Sequence, residues 1–218
     1  MSYILYAHPF SSYSWKAMIA LHEKELPYEL RIVEDEGVMA QLRRHWQLGK
    51  FPVLVDEDAP VIEATTIIEY LDLRHYERAP LIPANAVDAL DVRFMDRVFD
   101  NHVMTPMQAV VTEALPHLIG TTDPVRAQKA REALETIYAW LEARLAGRLW
   151  ACSAGFSLAD CAAAPSLFYA DWVHPIGDRY PELRAYRTRL NERPSVARCI
   201  EGARPYRHYF PLGAPDQD

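Results

Sequence analysis

Over the first 75 residues, the hydrophobic positions change repeatedly between the two-residue period of strands and the 3.6-residue period of helices. Residues 28–33 alternate as a half-buried strand does, and a helical stretch separates them from the apolar run at 3–7, which predicts a β-α-β crossover unit. Acidic residues at 56–58 lie between two short apolar runs and predict a tight hairpin. The predicted elements are strands at 3–7, 28–33, 51–55 and 59–62, and helices at 11–25, just before residue 51, and at 63–74.

From residue 76 onward the strand pattern does not return. Pro80 and Pro83 lie in a stretch of low periodicity, which predicts a linker at 78–88 between two domains. The helices predicted beyond it span 89–118 with a bend near Pro106, 124 to Gly147, 157–169, 181–192 and 194–201. The chain is therefore expected to consist of an α/β domain at 1–77, in the order βαβαββα, and an all-α domain at 89–218.

Composition narrows the classes of partner. The 218 residues are 50% hydrophobic and carry a formal net charge of −7 without a basic run, which argues against nucleic acid or an acidic membrane as a partner. Three cysteines without a C-x-x-C pair and scattered histidines indicate neither a disulfide framework nor a metal site. No segment approaches the roughly 18 apolar residues of a membrane span. We therefore expect an unprocessed, soluble, cytoplasmic protein that binds a small molecule.

Three segments resemble the active-site segments of the cytosolic glutathione S-transferases. Residues 11–16, with the sequence SSYSWK, are similar to the serine-type loop of the zeta class, in which the first serine faces the glutathione sulfur. Residues 49–54 resemble the segment that contains a cis proline and pairs its backbone with the cysteinyl part of glutathione. Residues 62–71 resemble the turn into the third helix, which receives the γ-glutamyl carboxylate. The resemblance implies a thioredoxin-like N-terminal domain, a helical C-terminal domain, glutathione as co-substrate and a homodimer.

The chemistry explains why a serine belongs in this loop. A thiol with an ordinary pKa of about 8.5 is mostly protonated at neutral pH, whereas the thiolate is the nucleophile. A hydroxyl that donates a hydrogen bond to the sulfur at the positive end of a helix favours the ionised form. The candidates for this hydroxyl are Ser11 and, as its neighbour, Ser12.

The other predicted contacts hold the two ends of the tripeptide. Lys50 is expected to pair with the glycine carboxylate, and the main chain at Phe51 and Pro52 to bind the ligand as an added strand. Free N–H groups at the start of the helix after Glu63 would receive the γ-glutamyl carboxylate, and the Glu63 side chain its ammonium group. Ala64 departs from the family, which usually has a serine here; its absence is expected to weaken binding unless Thr65 substitutes.

Each of these residues also has a structural interpretation. A serine ahead of a helix is more often an N-cap than a catalyst, and the Ser157–Asp160 capping box is assigned to folding alone. Tyr6 is a rival thiol activator, although core packing is the simpler role. Asp96 and Asp100 could reach the γ-glutamyl amine across a dimer interface, but a solvated helix face is the interpretation we favour.

Three functions are compatible with these patterns. The first is a transferase in which Ser11 stabilises glutathione thiolate for attack on a small apolar electrophile, which is conjugated, isomerised or dehalogenated. The second is a non-catalytic glutathione-binding module, suggested by Ala64. The third, a thiol-disulfide oxidoreductase, lacks the cysteine that such an enzyme needs at the start of its first helix.

Overall fold

A four-stranded mixed sheet forms the centre of the N-terminal half in the computed structural model, which describes residues 3–153 and 155–216 except for the side chain of residue 118. The strand order is β2-β1-β3-β4, with β1 and β2 parallel and the other pairs antiparallel. The bounds are Tyr3–Ala7 (β1), Tyr28–Ile32 (β2), Val53–Asp56 (β3) and Ala59–Ile62 (β4), with helices Ser12–Glu23 (α1), Val38–His45 (α2) and Ala64–Arg74 (α3). The predicted order βαβαββα is confirmed.

Alternation along β1 separates two hydrophobic layers. Leu5 is fully buried in the main core, which contains α1 and α3, whereas Tyr6 belongs to a smaller cluster with Leu42 of α2. Successive strand side chains point to opposite faces, so one strand supports helices on both sides of the sheet. The loop from β1 into α1 is thereby fixed at one end of this sandwich.

The second half contains helices only, in the part of the chain that the structure describes. Their bounds are Ala86–Val98 (α4), Thr105–Glu113 (α5), Pro116–Ile119 (α6), Pro124–Leu145 (α7), Leu158–Val173 (α8), Pro181–Glu192 (α9) and Pro194–Ala203 (α10), with a 3-10 turn at Arg204–Tyr209. Helix α8 carries fourteen buried residues and packs against α1, α4, α5 and α9. None of the described helices combines the length and the apolarity that a membrane crossing requires.

The helix predicted at 89–118 differs from the structure at both ends. It begins at Ala86, where Asn85 caps the first turn by accepting from the N–H groups of residues 87 and 88. A π-helical segment, Phe99–Met104, joins α4 to α5 immediately before Pro106. Helix α5 ends at Glu113, and Pro116 starts the separate short helix α6 because proline suits a first helical turn better than an interior.

A buried carboxylate, that of Asp160, holds together the chain segments around the start of α8. The Asp160 carboxylate accepts hydrogen bonds from the Ser157 N–H and hydroxyl, the Ala151 N–H and the Tyr186 hydroxyl. Burial raises the pKa of Asp160, and these four donors oppose that shift. The predicted capping box is therefore present and acts in folding.

The chain segment after α3 is held by a buried lysine. The Lys24 ammonium lies 2.7 Å from the Asp72 carboxylate and donates to the carbonyl oxygens of residues 75, 78 and 79. Asp72 in turn accepts from the N–H groups of Leu81 and Ile82 at 2.9 Å. Among the described residues, the partners of the Lys24 ammonium lie in α3 and the segment after it, and these contacts set the path of the chain between the two halves.

Candidate active site

The loop between β1 and α1 presents Ser11 at the N-terminus of α1. The Ser11 side-chain oxygen accepts a hydrogen bond of 3.3 Å from the Ser14 N–H, which makes Ser11 the N-cap of the helix. Capping uses an acceptor lone pair, so the hydroxyl hydrogen remains able to donate to another group. The structural and the catalytic interpretation of Ser11 are therefore compatible. Ser12 follows at the first helical position and is 8% exposed.

A cleft of about 240 Å³ gathers most of the residues expected to bind the tripeptide. We call it the peptide cleft, and it is lined by Tyr13, Lys50, Phe51, Pro52, Glu63 and Ala64, with Arg97 and Asp100 on its other side. The Phe51–Pro52 peptide bond is cis, in agreement with the resemblance. Residues from α1, the turn before β3, the turn before α3 and α4 with its π-helical extension thus converge in one place.

The N-terminus of α3 opens into the peptide cleft without a side-chain cap. Glu63 precedes it with φ 69° and ψ 126°, a conformation that is costly for a residue with a Cβ. Unfavourable backbone conformations of this kind are retained where the surrounding structure holds them, often at ligand sites. The first N–H groups of α3 and the helix dipole therefore make this end of the cleft suited to a carboxylate.

Below the cleft lies a buried ion network that we call the Lys16 cluster, defined by Lys16, Thr65, Asp96, Arg97 and Asp100. The fully buried Lys16 ammonium lies 2.6 Å from Asp96 and 2.8 Å from Asp100. Arg97, which is half exposed, bridges the same two carboxylates at 2.5 and 2.6 Å. The favoured interpretation of the two aspartates as a solvated helix face is wrong, because Asp96 is 1% and Asp100 6% exposed.

Thr65 is committed to this cluster. Its hydroxyl accepts from Lys16 and Arg97 at 2.8 Å and donates to Asp96 at 3.2 Å. A hydroxyl offers one donor hydrogen and two acceptor lone pairs, so these three contacts use its whole capacity. Thr65 does not line the peptide cleft, and Ala64 contributes no hydroxyl in its place.

A second cavity, of about 350 Å³, adjoins the same serine loop. We call it the aromatic cavity; Ser11 and Ser12 form one side of it and the rings of Phe10, Tyr169, Tyr209 and Phe210 another. Met107, Gln108, Val111 and Thr112 of α5 face them across the opening. Because residues 11 and 12 line this cavity and residue 13 lines the peptide cleft, the start of α1 borders both.

Tyr6 is not placed to act on a thiol in either cavity. It is 3% exposed and packs with Leu42 of α2 on the other face of the sheet. Its hydroxyl lies 3.4 Å from Arg31 and 3.5 Å from Gln41. The structure therefore gives Tyr6 a role in packing.

The cysteines are also unsuited to chemistry. Cys152, Cys161 and Cys199 are free and buried. Burial raises the pKa of all three thiols, that of Cys152 to about 12, so each stays protonated near neutral pH. Among the described residues, no group of three or more histidine, cysteine and acidic side chains is arranged to hold a metal ion.

Sequence reasoning missed four residues that line the peptide cleft: Tyr13, Trp46, Arg97 and Asn101. Burial, followed by the negative charge of Asp100, raises the pKa of Tyr13, so its hydroxyl keeps its proton and can donate. Tyr13 lies inside the recognised serine loop and could have been found there. Arg97 and Asn101 lie 26 and 30 positions beyond the end of the recognised segment 62–71, and the packing of α4 and its π-helical extension brings them in.

Comparison with known proteins identifies relatives over most of the chain. A profile described as "Glutathione S-transferase, N-terminal domain" matches residues 5–79, and one described as "Glutathione S-transferase, C-terminal domain" matches residues 108–189. A protein of Vibrio cholerae named probable maleylacetoacetate isomerase is 28% identical over 94% of this chain and 98% of its own length.

Solved structures of glutathione S-transferases superpose on both the sheet-containing half and the helical half of this chain. A glutathione S-transferase from Methylobacillus flagellatus with glutathione bound is 27% identical, with a TM-score of 0.80 over 91% of this chain and 98% of its own. A glutathione S-transferase from Methylobacterium radiotolerans in complex with glutathione sulfonate is 29% identical, with a TM-score of 0.77 over 92% of this chain and 95% of its own.

Proposed function

This chain belongs to the glutathione S-transferase family, and from that premise we propose that it binds glutathione in the peptide cleft and activates the thiol with Ser11. The activated sulfur then attacks a small apolar electrophile in the aromatic cavity. The observation that carries the proposal is the position of Ser11 and Ser12 at the N-terminus of α1, where they line the aromatic cavity while the next residue, Tyr13, lines the peptide cleft.

The energy required for thiol activation is within reach of this geometry. Lowering the pKa of the bound thiol by about two units requires roughly 2.7 kcal/mol. A hydrogen bond to a charged group contributes about 1.5 to 3 kcal/mol, and a helix N-terminus in a partly buried site contributes up to about 2 kcal/mol. A donated Ser11 hydrogen bond and the α1 dipole together are therefore sufficient.

The charges of the cleft match those of the tripeptide. Glutathione carries two carboxylates and one ammonium group near neutral pH, and the cleft offers Lys50 and the α3 N-terminus at different points for the two carboxylates. Glu63 and Asp100 line the cleft as possible partners of the ammonium.

The test removes the Ser11 hydroxyl, which also removes the α1 N-cap at a cost of about 1 kcal/mol in stability. In the complex with glutathione, the thiol pKa is read from the ultraviolet absorbance of the thiolate as a function of pH. Ser11→Ala is expected to raise that pKa by one to two units, about a ten- to hundredfold loss of thiolate at a pH below it, with kcat falling in parallel. Ser12→Ala is the matched control, and a larger effect at Ser12 would transfer the role to that residue. Unchanged thiol pKa and turnover in both variants would eliminate the mechanism.

A second candidate is a glutathione-binding module without catalysis, which the missing hydroxyl at Ala64 and the full commitment of Thr65 favour. Calorimetric titration with glutathione, followed by assays over a broad panel of electrophiles, separates the two. Saturable binding without turnover supports the module, whereas conjugation supports the enzyme.

The exposed apolar face on α4 and α7 supports a homodimer. Leu90 and Phe94 of α4 are 68% and 49% exposed, and Trp140 of α7, whose ring packs edge-on to Phe94, is 41% exposed. Exposed apolar patches of this kind mark interaction sites in soluble proteins. Phe94→Glu is expected to halve the molar mass measured by light scattering, and a wild-type protein of 25 kDa would refute the dimer.

The free cysteines support a reducing, cytoplasmic location.

A further inference from the structure

His8 follows β1 directly and makes three hydrogen bonds to the residues that lead into α1. Its N–H donates to the Ser14 hydroxyl oxygen at 3.2 Å, and its carbonyl oxygen accepts from the Ser11 N–H at 2.9 Å. Its ring nitrogen Nδ1 accepts from the Phe10 N–H at 3.1 Å. The main chain at Ser11 and at the residue before it is therefore held by a single histidine.

The ring of His8 is held from its other side by Glu34, which lies in the turn after β2. The Nε2 atom of His8 is 2.9 Å from the Glu34 carboxylate. Because Nδ1 accepts from Phe10, it carries no hydrogen, so the neutral ring has its hydrogen on Nε2 and donates it to Glu34. A ring with hydrogens on both nitrogens would point a donor at the Phe10 N–H. One tautomer and one orientation of the ring thus satisfy both contacts.

Glu34 also connects this ring to the C-terminal segment. The Tyr209 hydroxyl donates to the second oxygen of the Glu34 carboxylate. The ring of Tyr206 lies edge-on to that of His8, with a centroid distance of 4.7 Å. Both tyrosines belong to the 3-10 turn, and Tyr209 lines the aromatic cavity. The orientation of His8 is therefore supported by a wall of the aromatic cavity.

These contacts are suited to positioning more than to stability. The Glu34 side chain is 46% exposed, and a pair at such a site contributes little to folding because water competes for both partners. A catalytic hydroxyl, in contrast, must be held within about 0.5 Å of its productive position. The His8 ring gives the Phe10 N–H a fixed acceptor one position before Ser11, which limits the conformations open to the main chain there.

We propose that His8 is a positioning residue for Ser11, an inference that rests on the proposed thiol activation. The His8 ring, oriented by Glu34, holds the Phe10 N–H and thereby fixes the main chain that presents the Ser11 hydroxyl to the glutathione sulfur. His8 is not among the described residues that line the peptide cleft or the aromatic cavity, so it acts through Ser11.

His8→Phe tests the inference on the full-length protein, because it keeps a ring beside Tyr206 and removes both nitrogens. In the complex with glutathione, the thiol pKa is expected to rise by about 0.5 to 1 unit, about a three- to tenfold loss of thiolate at a pH below it, with kcat falling in parallel. The KM for glutathione should stay within about twofold, since Lys50 and the α3 N-terminus are unaltered. An unchanged thiol pKa would overturn the inference.

His8→Asn restores one of the two functions of the ring. An asparagine Oδ1 accepts from the N–H two residues ahead, as Nδ1 of His8 does from Phe10, but the shorter side chain does not reach Glu34. We expect His8→Asn to recover about half or more of the rise in thiol pKa that His8→Phe causes. A thiol pKa as high as that of His8→Phe would overturn the inference.

Glu34→Ala removes the carboxylate that orients the ring, and it leaves the packing of the loop intact because Glu34 is exposed. The thiol pKa is expected to rise by about 0.5 unit, about a threefold loss of thiolate. Loss of a negative charge alone would lower that pKa, so a rise reports orientation. Glu36→Ala, at an exposed position in the same turn, is the matched control and should produce no rise. Equal effects of the two substitutions would overturn the inference.

Ser11→Ala separates failure of this inference from failure of the proposed function. An unchanged thiol pKa in Ser11→Ala would contradict both, whereas a rise in Ser11→Ala without one in His8→Phe would contradict only the inference. The double variant of Ser11→Ala and His8→Phe is expected to show no rise beyond that of Ser11→Ala. Additive rises would show that His8 acts independently of Ser11 and would overturn its positioning role.

Discussion

Replacing Lys16 by methionine removes the one cation that is fully enclosed in the Lys16 cluster and retains most of the side-chain volume. Lys16 is 0% exposed and contacts the carboxylates of Asp96 and Asp100 at 2.6 and 2.8 Å. Without the Lys16 ammonium, the buried carboxylates of Asp96 and Asp100 lose one of the two cations that neutralise them. We therefore expect Lys16→Met to destabilise the fold more than any exposed lysine substitution.

The magnitude follows from what remains after the substitution. Removing one partner of a buried ion pair costs about 3 to 5 kcal/mol because the other charge is left uncompensated. Arg97 still bridges both carboxylates, but its side chain is 51% exposed, so its charge is partly screened by water. The cost should therefore lie near the lower end, about 3 kcal/mol, which for a chain of this size corresponds to a fall in Tm of about 6 to 12 °C.

Urea unfolding at a fixed protomer concentration measures this cost. Lys129→Met is the matched control, since Lys129 is exposed on α7 and the chemical change is the same; we expect an effect within about 0.5 kcal/mol. The triple variant with Asp96→Asn and Asp100→Asn removes the orphaned charges and should recover part of the loss. A Lys16→Met cost no larger than that of Lys129→Met would refute the reasoning.

Three further predictions follow from individual groups. Ala64→Ser restores a hydroxyl at the first turn of α3 and is expected to tighten glutathione binding about tenfold, measured by calorimetry; unchanged affinity would contradict the proposed carboxylate position. Burial lowers the pKa of His22 below 6.5 in the folded state, so the unfolded chain takes up the proton first and stability should fall as the pH drops below about 6.5. His22→Gln should make the free energy of unfolding depend less steeply on pH, and an unaltered slope would exclude His22 as the cause. Asp160→Asn replaces one carboxylate oxygen by an amide N–H donor, so two of the four accepted hydrogen bonds are lost; this should cost about 2 to 4 kcal/mol in urea unfolding, and a cost below about 1 kcal/mol would count against it.

Much of the fold could be predicted because its signals are local. The strands at 3–7 and 28–33, the Asp123 cap before Pro124 and the Ser157 capping box each depend on residues within a few positions. The π-helical segment Phe99–Met104 could not be predicted, because six residues are too few for its period to be separated from that of an α-helix.

The candidate site could also be predicted only where its signals are local. Lys50, Phe51, Pro52 and Glu63 lie within recognisable segments, and the structure brings them to one cleft. The Lys16 cluster could not be predicted, because its members come from positions 16, 65 and 96–100 and no local sequence pattern indicates contacts between residues so far apart. For the same reason Asp96 and Asp100, with polar neighbours on a helix, suggested a solvated face.

The Lys16 cluster also constrains how proteins of this architecture can exchange their halves. The ammonium is supplied by the N-terminal half and the two carboxylates by the helical half, yet neither set is exposed at the seam between them. A recombinant that joins this N-terminal half to a helical partner with neutral side chains at positions 96 and 100 would inherit an enclosed cation without its counterions. We therefore expect a hybrid of two such proteins to fold stably only when the residues at positions 16, 96 and 100 have complementary charges, whichever electrophile the hybrid accepts.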